Sequence, residues 1–137
     1  MKITFLGTGE AFGKRANTSI LIDDSILLDC GMHTLQQLMK LKFPISDIKL
    51  IWISHLHADH VFGLPGLLCA SLEEKRKEDI EIIGCFEIKD YVEKLLFLAY
   101  NKRIDDFNFK INFINLNEIF NNNKYNKYNK YNILNVI

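Results

Sequence analysis

The sequence predicts an α/β fold in which helices flank a single mixed β-sheet. Short apolar runs rich in β-forming residues alternate with segments of helical period along the first 116 residues. Residues 49–54 form one such run that is apolar almost throughout, as is typical of a strand covered on both faces. Two aspartates between two earlier runs predict a tight turn. Together these features favour a sheet that combines a hairpin with buried crossover strands.

The first third of the chain predicts three strands and one helix. The strands are expected over residues 2–6, 19–22 and 25–29. Asp23 and Asp24 form the tight turn between the last two strands. Residues 34–42 carry Leu35, Leu38 and Met39 at helical spacing, and the predicted helix ends before Pro44.

The remaining elements alternate between helix and strand. A helix is predicted over about residues 64–77, a strand over 80–84, a helix over 87–101 and one more strand over 107–116. We therefore expect a globular unit at residues 1–118.

Residues 119–137 have a different character and are predicted to form a disordered tail. An asparagine run is followed by Lys-Tyr-Asn, repeated three times over residues 124–132. Lysines interleaved with tyrosines are also found in proteins that bind single-stranded nucleic acid, so that interpretation stays open beside the first.

The composition indicates which class of protein this is and in which cell compartment we expect it. Seventeen basic and seventeen acidic residues cancel, so no overall basic field indicates nucleic acid. The three cysteines are odd in number and lack a paired spacing, which favours reduced thiols. No signal peptide opens the sequence, and no apolar run approaches the roughly 20 residues that span a bilayer. We expect a cytoplasmic protein with no membrane partner.

The most informative motif is the hexapeptide at residues 55–60, His-Leu-His-Ala-Asp-His, which we call the metal loop. Three imidazoles and a carboxylate suit zinc or a similar divalent ion, and such ions support hydrolysis. If the strand continues through the loop, His55, His57 and Asp59 project to one side, and His60 follows the bend. A loop of surface histidines is the alternative. The pattern favours a metal site.

The metal loop and its surroundings resemble the ribonuclease Z branch of the metallo-β-lactamase superfamily. Besides His-x-His-x-Asp-His, the resemblance rests on residues 2–9, 15–19, 28–31 and 54–68. It implies that the chain is the N-terminal half of a metallo-β-lactamase αββα sandwich, in which each half supplies one sheet. It also implies a zinc-dependent phosphodiester hydrolase that acts on RNA, namely the 3′ ends of tRNA precursors.

The resemblance assigns a role to each polar residue of the motif. It implies that His55 and His57 bind one zinc ion, and that Asp59 and His60 bind the other. Asp59 is also implied as the catalytic proton acceptor. Asp29 matches a carboxylate that orients the metal loop without binding the metal, which is chemically reasonable because ligating histidines donate their second N–H to such groups. A strand-terminating aspartate in a turn is the alternative for Asp29.

The sequence also departs from the family pattern. The family completes a site for two zinc ions with a later histidine, a bridging aspartate and a final histidine, whereas no histidine follows His60. At 137 residues the chain is about half of a complete member, so we expect a truncated member that holds one zinc ion or none alone. His33 stands where the family pattern has glycine, and it is either a helix-start residue or a ligand. The downstream aspartates are expected to be surface charges.

Two classes of function follow. In the first, the chain is a hydrolase, and self-association or a complementing chain covers the apolar sheet face that a half sandwich leaves exposed. In the second, it is a catalytically inactive half-domain that acts through partner or metal binding. Within the enzymes, a thioesterase or an arylsulfatase-like enzyme is the alternative, since those chemistries share the metal loop.

Overall fold

The computed structural model describes residues 1–121 as one six-stranded sheet with helices packed against it. The strands are β1 (Ile3–Gly7), β2 (Ser19–Ile22), β3 (Ile26–Leu28), β4 (Leu50–Trp52), β5 (Ile80–Gly84) and β6 (Ile111–Asn115). The helices are α1 (Thr34–Lys40), α2 (Ala58–Val61), α3 (Leu64–Glu73), α4 (Ile88–Tyr100) and α5 (Leu116–Asn121), with 3-10 turns at Ile45–Asp47 and Ile104–Asp106.

The sheet is mixed, as predicted, and its strands lie in chain order. β1, β2 and β3 pair antiparallel, whereas β3, β4, β5 and β6 pair parallel. β1 therefore runs in the same direction as β3 and β4, and the carboxyl ends of these strands meet at one edge. We call this edge the metal edge. The loops that follow β1, β3 and β4 all leave from it.

The predicted turn between β2 and β3 is present. Asp23 and Asp24 have φ values of 46° and 54°, and the Ser25 N–H donates to the Ile22 carbonyl at 3.1 Å. Positive φ at both central positions defines a type I′ turn, which matches the twist of an antiparallel hairpin. The turn lies at the edge opposite the metal edge.

Two predicted elements are longer than the structure shows. The helix predicted over residues 64–77 ends at Glu73, and Lys75 adopts a left-handed φ of 59°. The chain leaves the helix there because the buried Arg76 guanidinium donates to three carbonyls, those of Ser46, Glu78 and Asp79. Burial lowers the pKa of Arg76, and these carbonyls take the place of water around the guanidinium.

The end of the described chain also differs from the prediction. The strand expected over residues 107–116 begins only at Ile111, because Phe107 and Phe109 turn into the core and stack edge to face with centroids 5.5 Å apart. Leu116 begins α5, which crosses the boundary predicted after residue 118. The tail predicted over residues 119–137 lies outside the described residues from position 122 onward.

The two faces of the sheet are covered differently. Helices α1, α3 and α4 cover one face, where the largest apolar cluster includes Leu27, Ile51 and Ile82. The second cluster lies on the other face and consists of Ile22, Ile26, Leu50, Ile83, Ile114 and, from α5, Ile119. Ile3 and Phe5 pair with residues of that second face and are 47% and 65% exposed. Only the β1 end of this face therefore meets solvent. Leu50 and Ile83 on its central strands are buried, so the expectation of a wholly uncovered apolar face is not met.

Within residues 1–121, none of the helices combines the length and the apolar character needed to cross a membrane.

Candidate metal centre

The metal edge brings Asp29 and Ser54 together because β3 and β4 are parallel neighbours. Asp29 follows β3 and Ser54 follows β4. The Asp29 carboxylate accepts one hydrogen bond from the Ser54 backbone N–H at 2.8 Å and another from the Ser54 hydroxyl at 2.9 Å. Asp29 has a left-handed φ of 57°, a conformation that aspartate tolerates better than most residues. The carboxylate thus fixes the position of Ser54, the residue directly before the metal loop.

The same carboxylate orients His60. Its Oδ2 atom lies 2.8 Å from His60 Nδ1, and the two side chains are only 12% and 19% exposed. Because a carboxylate accepts hydrogen bonds, Nδ1 of His60 is the donor, and Nε2 is left for other partners. The Nε2 atom lies 3.3 Å from Asp59 Oδ2. This is the arrangement by which carboxylates orient metal-ligating histidines.

Asp59 and His60 lie on a helical turn rather than on a continued strand. His57 is the last extended residue, with φ −67° and ψ 149°, and α2 begins at Ala58. The expectation that His55, His57 and Asp59 share one side of a strand is therefore wrong for Asp59. The helical turn forms because it buries Val61 completely while the His60 and Val61 N–H groups donate to the His57 carbonyl.

His55 and His57 form a second, more exposed pair. Nε2 of His55 lies 3.1 Å from Nδ1 of His57, and both side chains are exposed. The other ring nitrogen of His55 lies 3.0 Å from the Ser54 hydroxyl. The His55 ring also packs against the His60 ring, with centroids 4.1 Å apart. All four side chains of the predicted site are therefore neighbours.

The separations within the two pairs are those of polar contacts, and they also match the distance between two ligands of one zinc ion. Two ligand atoms about 2.0–2.1 Å from a tetrahedral zinc ion lie roughly 3.3 Å from each other. The observed separations are 3.1 Å in the His55/His57 pair and 3.3 Å in the Asp59/His60 pair. In the part of the chain that the structure describes, no three His, Cys, Asp or Glu side chains surround a common point. Each pair could therefore supply at most two ligands of a tetrahedral site.

Two glycines lock the loop after β3 against the metal loop. A Cβ atom on Gly31 would lie 2.2 Å from the Asp59 carbonyl oxygen, and one on Gly63 would lie 2.2 Å from the Gly31 carbonyl oxygen. The Cys30 N–H donates to the His60 carbonyl at 2.7 Å. Cys30 is fully buried, and burial raises the pKa of its thiol, so Cys30 acts as a neutral core residue here.

The remaining sequence candidates lie elsewhere. Asp79 precedes β5, and Asp105 and Asp106 precede β6, so they lie toward the edge opposite the metal edge. Asp79 accepts a hydrogen bond from the Lys110 N–H, and Asp106 accepts one from the Arg103 N–H. The Asp79 and Asp106 contacts are structural. Asp90 lies on the first turn of α4, which follows the carboxyl end of β5 at the metal edge, and its side chain is exposed.

Sequence reasoning missed two polar residues at the site. Ser54 was predicted only as the end of a strand, yet it contacts Asp29 and His55. Asn17 is buried, and its Oδ1 atom lies 3.0 Å from Nδ1 of His33. The position of Ser54 directly before the first histidine was a usable signal. The only signal for Asn17 was that it lies in residues 15–19, a segment that resembles the ribonuclease Z branch.

Comparisons with known proteins agree with this architecture. A family model described as Anti-Pycsar protein Apyc1 matches residues 1–135. Human zinc phosphodiesterase ELAC protein 1 is 38% identical over 113 residues, which cover 76% of this chain and 31% of that protein. Ribonuclease Z from Listeria monocytogenes is 37% identical over 107 residues, covering 72% of this chain and 35% of the relative. The chain thus spans about a third of the length of these curated relatives.

Solved structures show the same relationship. The crystal structure of human tRNase Z, short form, matches with a TM-score of 0.71 and 35% identity, covering 84% of this chain and 45% of that one. A long-form RNase Z from yeast matches with a TM-score of 0.66 and 26% identity over 82% of this chain and 17% of that one. The predicted α/β fold of metallo-β-lactamase type and the resemblance to ribonuclease Z are confirmed.

Proposed function

The chain belongs to the Anti-Pycsar protein Apyc1 family, and from this premise we propose that it supplies one part of a zinc-dependent phosphodiester hydrolase centre. The observation that carries the proposal is the pair of ligand separations, 3.1 Å and 3.3 Å, beside a histidine oriented by a buried carboxylate. Relatives named zinc phosphodiesterase and ribonuclease Z support the choice of metal and of the phosphodiester bond.

The proposed ligands are the two pairs described above. His55 Nε2 and His57 Nδ1 would hold one zinc ion, and Asp59 Oδ2 and His60 Nε2 would hold the other. When bound, zinc polarises a phosphoryl oxygen and lowers the pKa of a water molecule. Asp29 and Ser54 contact the nitrogens of His60 and His55 that face away from these ligand atoms, and so they orient the rings.

Asp59 has a second proposed role as the proton acceptor. Its side chain is 14% exposed, so the carboxylate is held by the protein and still reaches solvent. In hydrolysis, the water oxygen forms a bond to phosphorus, the bond to the leaving oxygen breaks, and the carboxylate takes the proton that the water loses. Replacing Asp59 therefore removes both a ligand and the base.

The remaining ligands, and a cover for the exposed β1 end of the second sheet face, are proposed to come from a complementing chain. Two ligand atoms in each pair leave a tetrahedral site half filled. Ile3 and Phe5 are exposed on the same face that carries the smaller apolar cluster. A partner with an apolar sheet and further histidine ligands would satisfy both needs. Self-association of two identical chains is the competing arrangement, and the molar mass separates the two.

The proposed substrate is RNA, in particular a tRNA precursor. This proposal rests on the names of the relatives, since the net charge of the chain is zero and supplies no general attraction for phosphates. A cytoplasmic location stays a prediction.

The test measures zinc content, molar mass and hydrolysis of bis(p-nitrophenyl) phosphate on the full 137-residue chain. We expect close to two zinc ions per chain and zinc-dependent hydrolysis in an assembly larger than one chain. A second polypeptide of different mass in that assembly supports the complementing chain, and a dimer of this chain supports self-association. Asp59→Ala should abolish hydrolysis, and Asp105→Ala, the same substitution at an exposed residue toward the opposite edge, should not change it.

Other outcomes would contradict this proposal. One weakly bound zinc ion without turnover would support the inactive half-domain. Faster hydrolysis of a thioester or of p-nitrophenyl sulfate than of the phosphodiester would support the thioesterase or arylsulfatase-like alternative.

A further inference from the structure

His33 is the fourth histidine of the chain and has no place in the two ligand pairs. It precedes α1 as the N-terminal cap residue, with φ −92° and ψ −8°, and its side chain makes no capping hydrogen bond. His33 therefore starts the helix, as one of the two expectations has it, but its imidazole does not cap the helix.

A buried amide determines which nitrogen of His33 carries the proton. Asn17 is 2% exposed, and its Nδ2 donates to the Glu10 carbonyl at 3.2 Å. This contact turns the Asn17 Oδ1 atom, an acceptor, toward Nδ1 of His33 at 3.0 Å. Nδ1 must therefore be the donor. In the neutral ring, Nε2 is then a bare acceptor, and no hydrogen-bond partner for it occurs among the described residues.

His33 lies beside the metal centre. Gly31, two residues earlier, packs directly against the Asp59 carbonyl and against Asn17. Two residues of chain span at most about 7 Å, so the His33 backbone stays near the metal loop. The loops that carry Asn17 and His33 also leave from the metal edge, because β1, β3 and β4 run in the same direction. His33 and the two ligand pairs therefore lie at the same edge of the sheet.

We propose that Nε2 of His33 accepts a hydrogen bond from a ribose 2′-hydroxyl of the bound substrate, so that His33 favours RNA over DNA. The proposal rests on the phosphodiesterase function proposed above. An unprotonated Nε2 cannot pair with a phosphate oxygen, since both are acceptors, whereas a hydroxyl donates. The 2′-hydroxyl is the group by which a protein distinguishes RNA from DNA at one position.

The test compares two probes that differ only in that hydroxyl. Fluorescein-labelled oligouridine and oligodeoxyuridine of equal length are titrated with the full chain and zinc, and binding is followed by anisotropy. His33→Asn keeps an amide near the Nδ1 position and removes Nε2. We expect it to weaken oligouridine binding roughly fivefold to tenfold, the effect of one lost hydrogen bond, and to leave oligodeoxyuridine binding within about twofold.

Two further variants separate this role from a structural one. His33→Gln places an amide oxygen near the level of Nε2 and should recover part of the preference for oligouridine. The two His33 variants differ from each other by one methylene. Gln36→Asn makes that same change at an exposed residue of α1 and should change the affinity for neither probe. Zinc content should be the same in all of these variants.

Three results would overturn the inference. Equal losses for both probes, or loss of zinc, would give His33 a structural or ligand role while leaving the hydrolase proposal intact. An Nε2–H tautomer of His33 in long-range ¹⁵N NMR spectra of the free chain would remove the acceptor. If the unmodified chain with zinc binds neither probe, this inference and the proposed RNA substrate are both overturned, whereas the hydrolase proposal is decided by hydrolysis of bis(p-nitrophenyl) phosphate.

Discussion

The two proposed ligand pairs differ in what holds them in place. Asp59 and His60 are 14% and 19% exposed, lie on a helical turn, and contact Asp29 from a different strand. His55 and His57 are exposed and lie on the extended segment before that turn. The first pair is positioned by the packed fold, whereas the second is positioned mainly by its neighbours in sequence. We therefore expect changes at the first pair to affect folding as well as zinc binding.

The largest effect is expected where the loop after β3 meets the metal loop. Gly31→Ala would place a methyl group 2.2 Å from the Asp59 carbonyl oxygen and 2.6 Å from the Asn17 side chain. Since backbone would have to move, we expect a loss of about 3 kcal/mol or more in the free energy of unfolding. Urea denaturation without zinc measures it.

Gly66→Ala is the matched control for that substitution. The nearest atoms to a Cβ at Gly66 are the Tyr100 hydroxyl at 3.3 Å and a Leu35 methyl at 3.5 Å. Because Gly66 lies within α3, alanine should stabilise the chain by up to about 1 kcal/mol. Equal effects of the two substitutions would show that the two loops are not tightly packed.

Removing one histidine from each pair should separate zinc binding from stability. His60→Ala removes the hydrogen bond to the buried Asp29 carboxylate and should lower the free energy of unfolding without zinc by about 1.5–3 kcal/mol. His55→Ala changes an exposed side chain and should stay within about 0.5 kcal/mol. Both should abolish tight zinc binding in a titration against a chromophoric chelator. Equal stability losses would contradict the contrast between the pairs.

Asp29→Asn tests the carboxylate that orients His60. Asparagine tolerates the left-handed φ at this position but cannot accept all three of the observed hydrogen bonds. We expect zinc affinity to fall by about 10-fold to 100-fold, as for other residues that orient metal ligands. Asp24→Asn makes the same change at another left-handed position, on the opposite edge, and should leave zinc affinity unchanged. A similar loss in both variants would contradict the proposed role of Asp29.

The smallest effect is expected at Ser54. Ser54→Ala removes the hydroxyl that donates to Asp29 and contacts His55, but the backbone N–H bond to Asp29 remains. Zinc affinity should fall by roughly threefold to tenfold, which is about 1 kcal/mol. Ser46→Ala removes a hydroxyl that also donates to a carboxylate at 2.9 Å, that of Glu74, far from the metal edge. A loss at Ser54 no greater than at Ser46 would count against its role.

Much of the local structure was predictable because it depends on near neighbours in the chain. The Asp23-Asp24 turn and the helices beginning near residues 34, 64 and 88 follow from turn chemistry and apolar period. The start of α2 was not predictable in this way, since strand spacing and a helical turn both bring Asp59 near the histidines. Burial of Val61 in the core decided between them.

The sequence alone determined which side chains the proposed centre offers, since the imidazoles and the carboxylate at residues 55–60 suit ions such as zinc. Only the tertiary structure decided which residues orient those ligands. Asp29 reaches Ser54 across 25 residues and His60 across 31, and Asn17 reaches His33 across 16. These contacts depend on the order, direction and register of the strands, which the apolar pattern of a single strand leaves open.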